Sequence, residues 1–287
     1  GRAAFRKGVD YLLGMVSTNG VILEGPRGLM FPVHTAAMAS RVVALERKTD
    51  ITLRAQVAWL TYLRERQLNC ALGWTPADPE FGGWGFSLRP PRKPGPDEMR
   101  DMFVESNLSA TLFAVGALRS SRIPIAESVW QDALVFVKRC QNFPDDPSQA
   151  DPVFDDGGFF FMTGDPVQNK AGIAGKDRHG RERFRSYGTM TADGIRALLQ
   201  CGLPPDHPRV TAARRWMEQN FVVSTNPGDF PADREVLRDA PYYYYTWTLA
   251  HALDRLDMTE VKTPKGKVRW AALLADELLK RQKQDGT

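Results

Sequence analysis

The sequence predicts an all-α fold, an α/α toroid in which helical hairpins form an outer and an inner ring. Three observations predict it. Apolar residues recur at i, i+3, i+4 and i+7 through a series of long segments, the period of a half-buried helix. These segments alternate between a class with a polar face and a class that is apolar and rich in small residues. Glycine-bearing loops, often with an aromatic, recur behind the polar-faced class, which marks an internal repeat.

The polar-faced, outer helices are expected at Arg54–Gln67, Val129–Gln141, Ala212–Gln219 and Val268–Gln282, with Phe5–Leu13 a weaker copy. Their loops carry Gly82-Gly83-Trp84-Gly85-Phe86, Gly157-Gly158-Phe159, Asn226-Pro227-Gly228 and Asp285-Gly286. The inner helices are expected at Ser106–Leu118, Thr189–Leu199 and Tyr245–Leu253, with His34–Ala39 beginning the first. Their Ala and Gly residues permit close helix–helix approach. Ser106, Asn107, Thr189 and Thr191 stand where side-chain N-caps belong. Two long irregular stretches, Ser87–Met102 and Asn142–Arg185, read as lids or binding segments. The whole of 1–287 reads as one toroid domain of about four and a half hairpins, fewer than a closed ring needs, and so as part of a longer chain.

Composition narrows the classes. Hydrophobic residues make up 43% and charged residues 25%, ordinary values for a globular domain rather than for disorder or a membrane protein. A net charge of +4, with Lys and Arg scattered, argues against a nucleic-acid partner, which would want a basic stripe. No run approaches the roughly 18 apolar residues of a membrane span, and Gly1–Lys7 has no apolar segment behind it to make a signal peptide. Cys70, Cys140 and Cys201 lack the spacing of a disulfide framework or a zinc cluster and read as three buried small hydrophobes. His34, His179, His207 and His251 form no spaced metal set, so no cofactor is expected.

If the inner helices run parallel, their N-termini converge on one end of a central cavity and give it a partial positive potential. His34, Glu105, Asn107, Tyr187, Thr189, Thr191, Tyr243, Tyr244, Tyr245 and Trp247 are the substrate-lining candidates this places there. Aromatic faces stabilise a cation without trapping it; the four-Tyr run reads equally as core packing. Asp193 is the one carboxylate within an otherwise small and apolar inner helix. Facing the cavity it would be a desolvated general acid; the alternative is a first-turn Asp held by helix N–H groups. Asp155 and Asp156 are a second acid candidate or a loop cap, and Arg181, Arg183 and Arg185 an anion clamp or a solvated charge run.

The pairing of an outer-helix Gln with Gly-x-aromatic, at Gln67 with Gly83-Trp84 and at Gln141 with Gly158-Phe159, resembles the QW repeat of squalene–hopene and oxidosqualene cyclases. Ser186–Thr191, Arg139–Asn142 before Asp156–Phe159, and Tyr242–Tyr245 are similar to bacterial squalene-cyclase-like proteins with prenyltransferase and squalene-oxidase repeats. The resemblance spans nearly the whole chain. It implies the toroid, a structural role for the Gln and aromatic residues, and a polyisoprenoid or related lipid as ligand, cyclised or isomerised. It is also compatible with a second α/α domain in the full-length chain and with peripheral membrane contact. Two departures qualify the chemistry. The family's Asp-x-Asp-Asp acid has no counterpart beyond Asp151-Pro152-Val153-Phe154-Asp155-Asp156, and the zinc ligands of protein prenyltransferases are missing from Tyr187–Asp193 and Tyr243–Trp247. A non-catalytic toroid binding a lipid, peptide or protein, and a carbohydrate lyase or hydrolase using Asp155, Asp156 and Arg185, are the rival readings.

Overall fold

The computed structural model describes every residue except Pro26, Arg27, Arg47, Met102, Arg122 and Thr287; the end of the expected Ser87–Met102 stretch therefore lies outside the described residues. The described chain is mostly helical, in keeping with the all-α expectation. Its packing divides it into two compact units, Gly1–Phe136 and Val137–Thr287.

The first unit holds α1 (Arg2–Gly14), α2 (Pro32–Val43), α3 (Asp50–Arg64), α4 (Leu108–Ser120) and α5 (Glu127–Arg139) as far as Phe136. Helix α3 starts where Thr49 and Thr52 cap each other's backbone N–H groups, and it buries Ala55, Ala58, Trp59, Leu60, Tyr62 and Leu63. Helix α2 opens with Pro32 in its first turn and packs between α3 and α4 through buried Ala36, Ala37 and Ala39. Helix α4 is capped by Asn107, whose side chain accepts from the Ala110 N–H.

The second unit holds α6 (Gly188–Gln200), α7 (Pro208–Gln219), the single turn α8 (Glu235–Arg238), α9 (Tyr242–Arg255) and α10 (Trp270–Arg281). Helix α6 packs against both α7 and α9. Ala110 and Ala192 are fully buried, while Ala250 is half-buried.

The glycine loops after α3 and α5 are built alike, each within its own unit. The Gln67 amide donates to the Gly82 and Val129 carbonyls, both at 3.0 Å. The Gln141 amide donates to those of Gly157 and Arg209, at 3.0 and 2.8 Å. Trp84 N–H donates to the Thr111 hydroxyl, and Phe159 N–H to that of Thr191. Each amide thereby joins its glycine loop to the first turn of a later helix. Gly82 is held at φ +89°, and a Cβ there would stand 1.8 Å from the Asp132 carbonyl oxygen, so the loop meets α5 backbone to backbone.

Four expectations need correction. Ser106, Thr189 and Thr191 are not caps. The Ser106 hydroxyl donates to Glu80 O, Thr191 lies in the second turn of α6, and Thr189 N–H is satisfied by the Asn226 side chain. The Asn142–Arg185 stretch is partly regular, pairing β1 (Ile173–Lys176) with β2 (Glu182–Phe184). The helix expected from Val268 begins at Trp270, because β3 (Val261–Thr263) and β4 (Gly266–Val268) form a hairpin before it. Cys140 and Cys201 are buried, but Cys70 sits in an exposed turn.

Candidate functional site

In the second unit, Asp193 is wholly enclosed. It lies one turn and a half into α6, too deep to meet the first-turn N–H groups. Its partners instead come from α9: Tyr244 donates its hydroxyl to Oδ2 at 2.8 Å, and Thr248 donates to Oδ1. Tyr244 and Thr248 are four residues apart, so they occupy one face of α9, turned toward α6. Arg196, one turn after Asp193, brings its guanidinium within 3.7 Å of Oδ1 and donates to the Thr248 hydroxyl at 2.9 Å. Loss of water pushes the Asp193 carboxyl up to about 6, against the opposing pull of Arg196 and the two hydroxyls.

The network has an aromatic cover. The Arg196 guanidinium lies 4.4 Å from the Trp247 ring centre. Trp247 packs beside Tyr244 at 5.5 Å and takes His251 edge-on at 4.9 Å. Tyr244 and Trp247 are half-buried and His251 is exposed, so the cover grades from the enclosed acid to solvent. The arrangement offers a carboxyl that changes charge near pH 6, a phenol bonded to it from a half-buried tyrosine, and a π face alongside.

The four-Tyr run divides as helical geometry requires. Tyr242 and Tyr245 turn inward, their hydroxyls donating to the Val223 and Val222 carbonyls. Tyr243 is 66% exposed and Tyr244 faces Asp193. Tyr187 and Thr191 are buried: Tyr187 precedes α6 and bridges Gly228, and Thr191 donates back to Tyr187 O. Asn107 is committed to capping α4, and Glu105 lies 3.7 Å from Arg100.

Asp155 and Asp156 stand apart from Asp193's network, in loop contacts. Asp155 accepts from Arg183 and from Asp151 N–H. Asp156 accepts from Gly158 N–H, the Ser186 hydroxyl and Trp216 Nε1. Arg185 is tied to Asp229 and to the Ile173 carbonyl. Among the described residues no three His, Cys, Asp or Glu side chains gather as a metal site would require, and no helix is long and apolar enough to cross a membrane.

In the first unit, His34 pairs with Ser109 at 3.2 Å among phenyl rings. Sequence reasoning named His34 and Asp193 but missed Arg196, Thr248 and Ser109. The available signals were spacing: Arg196 follows Asp193 by three residues, and Thr248 follows Tyr244 by four. No family model, no curated protein and no solved structure matches the chain.

Proposed function

We propose that the chain is an α/α toroid of the squalene-cyclase type that takes a polyisoprenoid or related lipid and isomerises or cyclises it by proton transfer. In this reading α2, α4, α6 and α9 are the inner helices and α3, α5, α7 and α10 the outer ones. The observation that carries the chemistry is the enclosed Asp193 carboxyl hydrogen-bonded to the half-buried Tyr244.

Asp193 has no surface of its own, so its proton leaves through Tyr244. Once Asp193 is protonated the bond reverses, the carboxylic acid donating to the phenol oxygen; the phenol then gives its freed hydrogen to an alkene carbon and takes the Asp193 proton in its place. The π electrons form the new C–H bond and leave a carbocation beside the Trp247 face. Loss of a proton from a neighbouring carbon, returned through Tyr244 to the Asp193 carboxylate, ends the reaction with the double bond moved or a ring closed. No atom is gained or lost. Because the reactive form is the protonated acid, the rate falls as pH rises above about 6.

The test is incubation with squalene, and separately with prenyl diphosphates, in D2O buffer between pH 5 and 8, followed by mass spectrometry. Isomers carrying deuterium, lost in Asp193→Asn, are expected. Unlabelled substrate under every condition sinks the catalytic reading.

The second reading, a non-catalytic toroid that binds a lipid, peptide or protein partner, is favoured by the engagement of both Asp193 oxygens. It predicts substrate retention without deuterium. The carbohydrate reading needs free carboxylates, and Asp155 and Asp156 already accept from Arg183, Ser186 and Trp216.

A further inference from the structure

The first unit holds a polar pair that the Asp193 chemistry does not use. His34 lies in the first turn of α2 and Ser109 in the first turn of α4, with Nε2 3.2 Å from Oγ. The other ring nitrogen, Nδ1, is buried without a hydrogen-bond partner among the described residues. Leaving such a group unpaired costs about 1–3 kcal/mol, so the position calls for a partner.

The surroundings are apolar. Phe113 packs on the imidazole at 4.5 Å and Phe86 at 5.6 Å, while Phe31 meets it edge-on at 6.4 Å. Phe31 is 58% exposed and is held at φ +46°, in the left-handed region. A bulky side chain there costs on the order of 1–3 kcal/mol, a strain that collects where a ligand is covered or gripped. Of the three rings it is the one least held by the fold.

Beyond the rings the face is open. Ser109, Phe113 and Gly116 fall at i, i+4 and i+7 and share one side of α4. Gly116 is half-buried, and a Cβ there would meet nothing within 4 Å among the described residues. Glycine inside a helix costs about 1 kcal/mol relative to Ala, and no close packing in this fold asks for it. Met38, one turn after His34 on α2, is 45% exposed.

We propose that this face binds an amphiphile ending in a neutral hydroxyl, a long-chain or isoprenoid alcohol, whose hydroxyl bonds to His34 Nδ1 and whose chain lies along Phe113 and over Gly116. Reaching Nδ1 requires a ring to move, and Phe31 is the one placed to do so. The polar end is an imidazole and a hydroxyl. Burial pushes His34 down to about 4, so the imidazole is uncharged at neutral pH and supplies no full charge to pair with an anionic head group. The rest of the face is hydrocarbon and empty space, which suits a chain and not a sugar.

Equilibrium dialysis at pH 7.5 with mass-spectrometric detection tests it, using farnesol, farnesyl diphosphate and farnesane, the same carbon skeleton without a hydroxyl. Farnesol is expected to bind at least tenfold more tightly than either. Gly116→Leu, which favours the helix and keeps the far-ultraviolet circular dichroism, is expected to weaken farnesol at least tenfold. His34→Phe should bring farnesol down to the affinity of farnesane. Farnesol no tighter than farnesane, diphosphate tighter than alcohol, or unchanged binding in folded Gly116→Leu overturns the proposal. The readout is binding without turnover, so it is decided separately from the Asp193 chemistry.

Discussion

Tyr244 reaches from α9 to α6 and donates its phenolic hydrogen to Asp193 at 2.8 Å. The bond joins a group with some access to solvent to one with none, and it crosses the most extensively packed helix pair of the second unit. Together with Thr248 and Arg196 it gives a buried carboxyl the partners without which it would be strongly destabilising.

Asp193 makes the stability of the fold depend on pH. Its folded pKa, about 6, lies above the ordinary Asp value of 3.8. Between those values the folded chain keeps a proton that the unfolded chain has released, so stability is intact below about pH 4 and falls as pH rises toward 6. The two-unit difference corresponds to roughly 3 kcal/mol. Asp193→Asn does not titrate. In urea denaturation, wild type minus variant should therefore shift by about that amount in favour of the variant between pH 4 and 7. Parallel pH profiles would show that the carboxyl titrates alike in both states.

Removing the phenol separates positioning from chemistry. Tyr244→Phe keeps the ring beside Trp247 and deletes one hydrogen bond to a charged acceptor, a loss of about 1.5–3 kcal/mol. The bond holds the Asp193 pKa down, so the variant raises it and moves the midpoint of the stability profile to higher pH. In the proposed proton relay, deuterium incorporation into substrate should fall at least 100-fold. Undiminished labelling would take Tyr244 out of the relay.

How far the sequence carried this picture depends on the kind of signal. Period and small-residue content placed each principal helix, since α3, α5, α6 and α9 all lie over the segments named for them. The Asn107 cap was legible from local chemistry, but Thr191 was misread because its hydroxyl serves the Phe159 backbone, a partner thirty-two residues away. The β1–β2 and β3–β4 hairpins escaped because strands of three or four residues leave hardly any period to detect. Asp193 stood out as a charge in an apolar helix. Its partners did not, because a Thr and a Tyr on another helix are ordinary residues until the packing turns them inward.

The glycine loops supply a test that is blind to function. Gly82→Ala forces a Cβ into the Asp132 carbonyl at φ +89° and should cost 4 kcal/mol or about that, with no flexible side chain able to yield. Gln67→Ala and Gln141→Ala each leave two carbonyls without their amide, and each should cost about 2–4 kcal/mol. Gln141→Ala should be the worse of the two, because Arg209 also donates to its side-chain oxygen. Chemical denaturation checks the order; a mild Gly82→Ala would mean that the loop does not pack on α5 as described.

Arg196 is the last term in the acid's environment, and its removal should act differently on either side of neutrality. Arg196→Met preserves much of the stem's packing and takes away the cation 3.7 Å from Asp193. At pH 8 the variant must either bury an uncompensated carboxylate or protonate it, and the loss should approach 3 kcal/mol. At pH 5 wild-type Asp193 is already mostly protonated, so the cation matters less and the loss should shrink toward the value of the lost packing and the Thr248 bond. The Asp193 pKa itself should rise, since Arg196 is the strongest influence holding it down. Stability measured at both pH values decides the matter. An equal loss at pH 5 and pH 8 would mean that Arg196 acts through its contact with Trp247 and not through its charge.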